Sequence, residues 1–328
     1  MTSLVSESAT TAASITEKVS LRFVQVQTHS RCNADCVFCP YVESWHADHP
    51  GKMPDWLWQK ILEDLKPFHR GINRGKFLPY LMQEPLIDPS IFKKIRDVYA
   101  IFPKTRMEPS TNGMALTPKV IDQLIEIFGN PLNKHQLWVS HHGINAETFQ
   151  HIMKIDYRKA HANLIRLLQA SNGRLKIRIR GAGVSRDQKH CFFSHQQYHD
   201  YWKSNFEIHQ INPQNITIDA FNFHDRAGTL YRTDRDSAKL NANQVRNIDR
   251  DHPFYCPRIN LWIHILWDGR IRLCCMDYHG EVKLPSLQSM SLTEYFQSES
   301  FGNLYETITG TRHSSPNFIC KRCSSPGG

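Results

Sequence analysis

The stretch "SRCNADCVFCPY" at residues 30–41 places cysteines at positions 32, 36 and 39, separated by three and then two residues. The 328-residue chain has nine cysteines, and an odd count cannot be used up in disulfides. Two groups stand out, one near the start and one near the end. The first is Cys32, Cys36 and Cys39; the second is Cys256, Cys274, Cys275, Cys320 and Cys323; Cys191 stands alone. Clustered thiols in a reducing compartment predict metal binding rather than disulfides.

The composition is typical of a water-soluble globular protein. Apolar residues make up 40% of the chain, and no apolar run reaches the eighteen or so residues that a membrane span requires. Residues 1–19 are rich in Ser, Thr and Ala, carry two glutamates and lack arginine. They predict a disordered tail and match neither a secretory signal nor a transit peptide. We therefore expect a cytoplasmic protein with no membrane partner.

The charge balance is basic, with a formal net charge of +9. The forty Lys and Arg residues are spread along the chain, and no lysine-arginine run of the kind found in nucleic-acid-binding tails occurs. This distribution favours a solvated basic surface, with a few arginines turned toward an acidic ligand, over nucleic-acid binding.

Extended apolar segments alternate with helical ones after the tail. Helical periodicity and capping signals predict helices at residues 54–66, 88–102, 116–129, 145–154 and 157–173. Between and around them, strands are predicted at residues 21–28, 76–82, 104–111, 135–142, 174–181 and 215–223. Regular alternation of this kind predicts a parallel sheet, closed or partly closed, with ligands at the carboxyl ends of the strands.

Each predicted strand ends in a polar or glycine-rich segment. The first cysteine group follows the first strand, and the later strands end in "MQEP", "STNG", "SHHG", "RGAG" and "NFHDRAG". Because the carboxyl ends of parallel strands meet at one edge of a sheet, these segments predict a common site.

The motif "CNADCVFC", with Phe38 before its last cysteine, resembles the signature of the radical S-adenosylmethionine (SAM) enzymes. Three thiolates can hold three irons of a [4Fe-4S] cluster and leave the fourth iron open. In that family, the amino and carboxyl groups of SAM bind the open iron. For the three cysteines alone, a zinc site short of one ligand, or three buried thiols, remains an alternative.

The strand ends resemble the family's SAM-binding segments in the same order. Glu84 and Pro85 match a Gly-Gly-Glu-Pro turn in which Met82 and Gln83 replace the glycines, and His142 stands where an aspartate is common. For the arginines of the fifth strand, a SAM carboxylate partner and a solvent-facing position are both open. The resemblance implies SAM contacts from Phe38, Tyr41, Gln83, Glu84, Ser110, Asn112, Ser140, His142, Arg178 and Arg180.

The second cysteine group resembles the carboxyl-terminal extension called SPASM, or its shorter form called twitch. "DGRIRLCCMDY" carries a hairpin signal at Asp268 and Gly269 and a Gly-x4-Cys element that ends at Cys274. The full extension uses seven cysteines for two clusters, so five cysteines imply one auxiliary [4Fe-4S] cluster. Its implied ligands are Cys256, Cys274, Cys320 and Cys323. Cys275 is then the spare thiol, although the two adjacent cysteines could exchange roles, and structural zinc is the alternative for the four.

The resemblance implies an α/β fold: a partial (β/α)6 TIM-like barrel with a small carboxyl-terminal hairpin-plus-helix cluster-binding domain. The implied division is a tail at 1–19, the barrel at 20–235 and the cluster-binding domain at 236–328. It also implies an enzyme that reductively cleaves SAM to a 5'-deoxyadenosyl radical, which abstracts hydrogen from a substrate. The electron would come from an external donor of the flavodoxin or ferredoxin type.

Only about twenty residues precede the first predicted strand, which leaves no room for a leader-peptide recognition domain. We therefore expect a small polar metabolite, such as an anionic or sugar-like one, to undergo dehydrogenation, dehydration, decarboxylation or epimerisation in natural-product biosynthesis. Peptide modification is the second candidate, and a non-catalytic zinc-binding basic protein is a third of another class. Epimerisation needs a hydrogen donor, for which Cys275 and Cys191 are the candidates; the alternative for each is a small buried apolar residue.

Overall fold

The computed structural model describes residues 19–130, 134–184, 191–222, 226–230 and 247–323. Two sheets, of five and four strands, form the centre of the described chain. The strands are β1 (Phe23–Val26), β2 (Lys76–Leu78), β3 (Arg106–Met107), β4 (Ser110–Thr111), β5 (Leu137–Ser140), β6 (Ile177–Val184), β7 (Ile216–Asn222), β8 (Trp262–Ile265) and β9 (Ile271–Arg272).

Helices alternate with these strands and continue beyond them. They are α1 (Trp45–Asp48), α2 (Asp55–Leu65), α3 (His69–Ile72), α4 (Ile91–Ile101), α5 (Pro118–Phe128), α6 (Ala146–Met153), α7 (Tyr157–Ser171), α8 (His195–Ile208), α9 (Arg258–Leu261), α10 (Leu292–Gln297) and α11 (Glu299–Thr309). Short 3-10 turns occupy Lys66–Phe68, Pro85–Ile87 and Ile319–Arg322. No helix in the described ranges combines the length and the apolar character that a membrane crossing requires.

The sheets form the predicted parallel, partly closed barrel. One has the strand order β3-β2-β1-β8-β9 and the other the order β4-β5-β6-β7. All pairings are parallel except that of β8 with β9. The α/β barrel that the sequence predicts is therefore confirmed.

The third predicted strand is broken in two, and the break joins the sheets. The amide of Glu108 donates to Phe77 on the β2 side, whereas the carbonyl of Pro109 accepts from Trp138 on the β5 side. Proline has no amide hydrogen to continue a ladder, so the chain changes partners at this point. The continuous strand expected at 104–111 is therefore two short strands, β3 and β4.

The hairpin predicted around Asp268 and Gly269 forms between β8 and β9, and Gly269 has the positive φ of 79° that the turn requires. β8 also pairs in parallel with β1, from Phe23 opposite Trp262 to Val26 opposite Ile265. The carboxyl-terminal segment is thus joined to the barrel sheet beside the strand that carries the first cysteine group.

Apolar side chains on the convex face of the sheets pack against the helices. Val24, Phe77 and Ile179 are completely buried there, together with Leu57 of α2. α5 has the expected ends: the Thr117 hydroxyl accepts from the amide of Val120, and Pro118 is the first helical residue. This packing leaves the opposite face of the strands, and their polar carboxyl ends, for a site.

Helix α8 is absent from the sequence-based expectation. It begins with a capping box in which Ser194 and Gln197 bond each other's backbone, and it buries Tyr198 and Trp202. The Ser-x-x-Gln signal was readable in the sequence. The predicted tail at 1–19, except for its last residue, and the predicted boundary between 235 and 236 lie outside the described residues.

Candidate active site and metal centres

The first cysteine group lies in the loop at the carboxyl end of β1, as predicted. Tyr41 holds this loop from within, since its hydroxyl donates to the carbonyl of Ser30 at 2.6 Å and accepts from the amide of Cys32 at 3.1 Å. Its ring is buried in an apolar cluster with Leu81, Met82, Leu266 and Tyr278. The structure therefore gives Tyr41 a role in ordering the loop, and the predicted contact of its ring with adenine stays a prediction.

The three thiols of this group are half-buried and close to few polar groups. The Sγ of Cys36 lies 3.9 Å from the carbonyl of Met153, and the Sγ of Cys39 lies 3.6 Å from the hydroxyl of Tyr278. Burial raises the pKa of Cys32 to about 12 and that of Cys36 well above its usual value. Thiolates at these positions need a bound cation, which iron supplies, so the group fits a cluster.

Glu84 braces the strand ends next to this loop. Its carboxylate accepts from the Thr111 hydroxyl at 2.7 Å, from the Asn112 amide at 2.7 Å and from the Leu86 amide at 3.1 Å. Burial raises its pKa to about 7, against the lowering effect of these hydrogen bonds. Glu84 therefore ties the segment after β2 to the end of β4.

Asn112 and Gln83 extend this bracing to the cysteine loop. The Asn112 side chain donates to Asn33 at 2.7 Å, between the first two cysteines. The Gln83 amide donates to the Thr28 hydroxyl at 3.0 Å and accepts from the backbone amide of His29 at 3.2 Å. Three of the predicted SAM contacts thus hold the strand ends together, and their contact with SAM itself stays a prediction.

The concave face of the second sheet carries the other predicted residues. Ser110 lies opposite Trp138 in the ladder, and Ser140 lies opposite Arg180. The Arg180 guanidinium lies over the rings of Trp138, at 4.6 Å, and Phe221, at 4.3 Å. Ser110, Ser140 and Arg180 therefore share one face of the sheet, on the side away from the helices.

The two arginines of β6 are paired inside the barrel. Arg178 and Arg180 approach the same carboxylate oxygen of Asp219, at 3.2 and 3.4 Å. Their side chains are 35% and 27% exposed, and the expected contact of either one with the SAM carboxylate stays a prediction. One carboxylate facing two guanidinium groups leaves positive charge available for a ligand.

His142 lies deep behind the cysteine loop. Its Nδ1 accepts from the Ala182 amide at 2.8 Å, and the ring of Phe38 meets it edge-on at 4.8 Å. Burial, together with the nearby charges of Arg180 and Arg226, lowers the pKa of His142 to about 3. The imidazole is therefore neutral with its proton on Nε2, so a neutral group replaces the aspartate common at this position.

The second cysteine group is assembled from three distant segments. Cys256, Cys274, Cys320 and Cys323 line one cavity, whose other walls include Phe254, Met276, Ile308 and Ile319. Cys320 is buried and the other three are half-buried. These are the four cysteines expected to hold the auxiliary cluster, and an apolar shell around four thiols fits such a cluster.

Cys275 does not line this cavity. It packs against the cluster of Tyr41, Leu81 and Tyr278, which also contacts Cys32 and Cys39, and against the apolar cluster around the second group. Cys275 therefore lies between the two groups, whereas Cys274 lines the cavity. Cys191, by contrast, is exposed, and its Sγ lies 3.9 Å from the carbonyl of Phe193.

Arg226 is a residue of this region that sequence reasoning did not single out. It follows β7 in a turn with φ values of 52° at Arg226, 56° at Ala227 and 76° at Gly228. Ala227 lines the cavity of the second group, and the Arg226 guanidinium faces the first. The only signal in the sequence was the polar segment "NFHDRAG" at the end of the last predicted barrel strand.

Among the described residues, no three His, Cys, Asp or Glu side chains are gathered closely enough to hold a single metal ion. A zinc ion draws four ligand atoms to about 2.0–2.3 Å from one point, whereas a four-iron cluster spreads its thiolates over separate irons.

A comparison with family models matches residues 256–324 to SPASM, an iron-sulfur cluster-binding domain. This segment contains the whole second cysteine group. No match to the chain is found among curated proteins.

Solved structures share the fold over most of the chain. BtrN in complex with AdoMet and 2-DOIA has a TM-score of 0.57 at 15% identity, over 93% of this chain and 93% of that one. Streptococcus suis SuiB bound to the precursor peptide SuiA has a TM-score of 0.59 at 12% identity, over 90% and 70%. Native anSMEcpe with bound AdoMet has a TM-score of 0.58 at 14% identity, over 88% and 82%. All three are radical SAM enzymes with SPASM or twitch domains, so the resemblance to this fold, followed by a SPASM-type domain, is confirmed.

Proposed function

We propose that this chain, which joins the fold of radical SAM enzymes to a SPASM domain, is an enzyme that reductively cleaves SAM and abstracts hydrogen from a small polar metabolite. The observation that carries the proposal is the pair of cysteine sites: three thiols in one strand-end loop, and four others around one cavity. When bound, the first cluster supplies the electron that cleaves SAM to a 5'-deoxyadenosyl radical.

Cys32, Cys36 and Cys39 hold that cluster in this proposal, and three ligands leave one iron for SAM. Glu84, Asn112 and Gln83 keep the neighbouring strand ends in place, so that their backbone and free lone pairs meet the methionine part. Ser110 and Ser140 lie on the concave face and bind the rest of SAM. Phe38 and Tyr41 close the loop and exclude water from the reacting carbon.

The concave face also suits a polar substrate. Arg178, Arg180 and Asp219 offer charged hydrogen-bonding groups, and Trp138 offers a flat apolar surface beside them. This combination favours a hydroxylated, amino or anionic metabolite, and the fold shared with BtrN, which was solved with 2-DOIA, supports that choice. The reaction would be a dehydrogenation, dehydration, decarboxylation or epimerisation.

A modified peptide is the second candidate substrate. SuiB was solved with the precursor peptide SuiA, and anSMEcpe was solved with the Cp18Cys peptide. Both share the fold of this chain. Incubation of the reduced enzyme with peptides and with sugars or aminoglycosides in parallel separates the two candidates by which set forms 5'-deoxyadenosine.

Cys275 is the thiol we assign to hydrogen donation if the reaction is an epimerisation. It packs against the apolar cluster that also contacts Cys32 and Cys39, whereas Cys191 is exposed. Its S-H would give a hydrogen atom to the substrate carbon radical, and one electron from the external donor plus one proton would restore the thiol. Cys275→Ala should then leave SAM cleavage intact and abolish product, with Cys191→Ala as the matched comparison.

The proposed function is tested by anaerobic purification followed by reduction in the presence of SAM. A brown protein with about seven to eight irons that forms 5'-deoxyadenosine supports it. A flavodoxin or ferredoxin should replace the chemical reductant. A colourless protein with stoichiometric zinc and no 5'-deoxyadenosine contradicts it and would favour a non-catalytic zinc-binding protein.

A further inference from the structure

Arg226 is a cation enclosed between the two cysteine groups. Its Nε is buried without a hydrogen-bond partner, and its nearest polar contact is a weak one, from a terminal nitrogen to the Sδ of Met276 at 4.0 Å. Within the described ranges, no carboxylate forms an ion pair with it. Arg226 as a whole is half-buried, and a guanidinium that is partly removed from water without an anion is unfavourable, so the site suits a negative charge.

The groups that surround Arg226 indicate where the negative charge would lie. The thiols of Cys36, Cys39 and Cys275 and the hydroxyl of Tyr278 are its electrostatic neighbours. Two of the three thiols belong to the first cysteine group, and Tyr278 itself contacts Cys39.

The backbone fixes Arg226 in this place. Non-glycine residues seldom adopt positive φ, yet Arg226 and Ala227 do so in succession, and the amide of Thr229 closes the turn on the Arg226 carbonyl at 3.2 Å. Such strain persists only where the surroundings hold it. The turn places the Ala227 methyl in the wall of the second cavity and the Arg226 side chain beside the first group.

We propose that Arg226 is the counter-charge of the first iron-sulfur cluster and raises its reduction potential. This inference rests on the proposed function, because it requires a cluster on Cys32, Cys36 and Cys39. Reduction makes a cluster more negative, and a fixed positive charge beside it stabilises the reduced form more than the oxidised form. Arg258 has a corresponding place at the second group, with Cys275, Cys274 and Cys256 as electrostatic neighbours.

The test is a redox titration of the anaerobically prepared holoprotein, followed by electron paramagnetic resonance. Arg226→Gln should shift the first cluster to lower potential by at least a tenfold change in its reduced-to-oxidised ratio, which is 59 mV for one electron. Arg226→Lys keeps the charge and should retain most of the wild-type potential. Arg70→Gln removes the same charge at an exposed position and should shift neither cluster. Arg258→Gln should shift the second cluster alone.

A wild-type potential in an Arg226→Gln protein with full iron content overturns the inference and leaves the proposed function intact. If Arg226→Gln fails to hold the first cluster, the Arg226→Lys protein decides between two explanations. Retention of the cluster in Arg226→Lys supports a requirement for positive charge. Loss of the cluster in Arg226→Lys overturns the inference in favour of a purely structural role. A wild-type protein without iron refutes the proposed function itself, so the two failures are distinguishable.

Discussion

The two cysteine groups differ in how the chain builds them and in what surrounds them. The first comes from eight consecutive residues in one loop and borders the polar ends of β2, β4 and β5. The second draws Cys256, Cys274 and the Cys320–Cys323 pair from three segments into a cavity with apolar walls. In the proposed assignment the contrast is that of an open reaction site and a closed one, since three ligands leave an iron available and four do not.

The largest effect expected is from loss of the first group. Replacement of Cys32, Cys36 and Cys39 by alanine should remove about half of the iron and abolish 5'-deoxyadenosine formation, because SAM has no iron to bind. Iron analysis and chromatography of the reaction mixture measure both. As a control, Cys191→Ala should keep its full iron content. SAM cleavage by the triple variant would contradict the assignment of the SAM-binding cluster to the first group.

The second group should behave differently when it is removed. Cys256→Ala combined with Cys274→Ala should also lose about half of the iron, yet the first group should still bind SAM and form some 5'-deoxyadenosine. Cys275→Ala should keep both clusters, because Cys275 does not line the cavity. The reverse result, with iron lost from Cys275→Ala and retained in Cys274→Ala, would show that the adjacent cysteines exchange roles.

A comparison of two tyrosines tests how the first loop is held. Tyr41→Phe removes a hydroxyl that bonds Ser30 and Cys32, leaves both unpaired and should lower the free energy of unfolding by about 1–3 kcal/mol. Tyr99→Phe removes a buried hydroxyl that has no hydrogen-bond partner among the described residues, and it should change the free energy of unfolding by less than about 0.5 kcal/mol. Thermal unfolding of the anaerobic holoproteins measures the difference, and equal losses would show that the Tyr41 bonds do not order the loop.

The smallest effect concerns a histidine far from both groups. Burial lowers the pKa of His135 to about 4, where its Nδ1 accepts from the Met107 amide at 3.2 Å. Its neutral form stabilises the fold at pH values above the usual 6.5, and this contribution is lost as the pH falls toward 4. His135→Gln keeps an acceptor without the charge, so its unfolding temperature should fall less than that of the wild type between pH 7.5 and 5.5. Between these two pH values, the loss in the free energy of unfolding should differ between the two proteins by under about 1 kcal/mol. An identical pH dependence of unfolding in both proteins would contradict the prediction.

The sequence predicts the first group and the barrel well because both depend on local patterns. The spacing of Cys32, Cys36 and Cys39 and the alternation of strands and helices are visible within short windows. The break between β3 and β4 was missed although Pro109 signals it, since the rest of that segment reads as one strand. Likewise, the pairing of β8 with β1 joins residues that are distant in sequence, and no local pattern contains it.

The candidate site, too, could be predicted only where local sequence patterns contain it. Sequence reasoning could assign Glu84 and Asn112 to the strand ends, but their mutual hydrogen bond depends on how β2 and β4 are placed. Cys274 lines the cavity while Cys275 lies between the two groups, and this difference follows from tertiary packing alone. The same holds for the position of Arg226. Charge compensation across distant segments leaves no motif, which is why Arg226 was overlooked.

The most direct test of the central claim is Mössbauer spectroscopy of the iron-57-enriched holoprotein with and without SAM. We predict two [4Fe-4S] clusters, of which one shows a single altered iron when SAM is added while the other is unchanged. The altered signal should disappear in the Cys32, Cys36 and Cys39 variant and persist when Cys256 and Cys274 are replaced. Spectra that do not respond to SAM, or that respond through the second group, would contradict the assignment of an open first site and a closed second one.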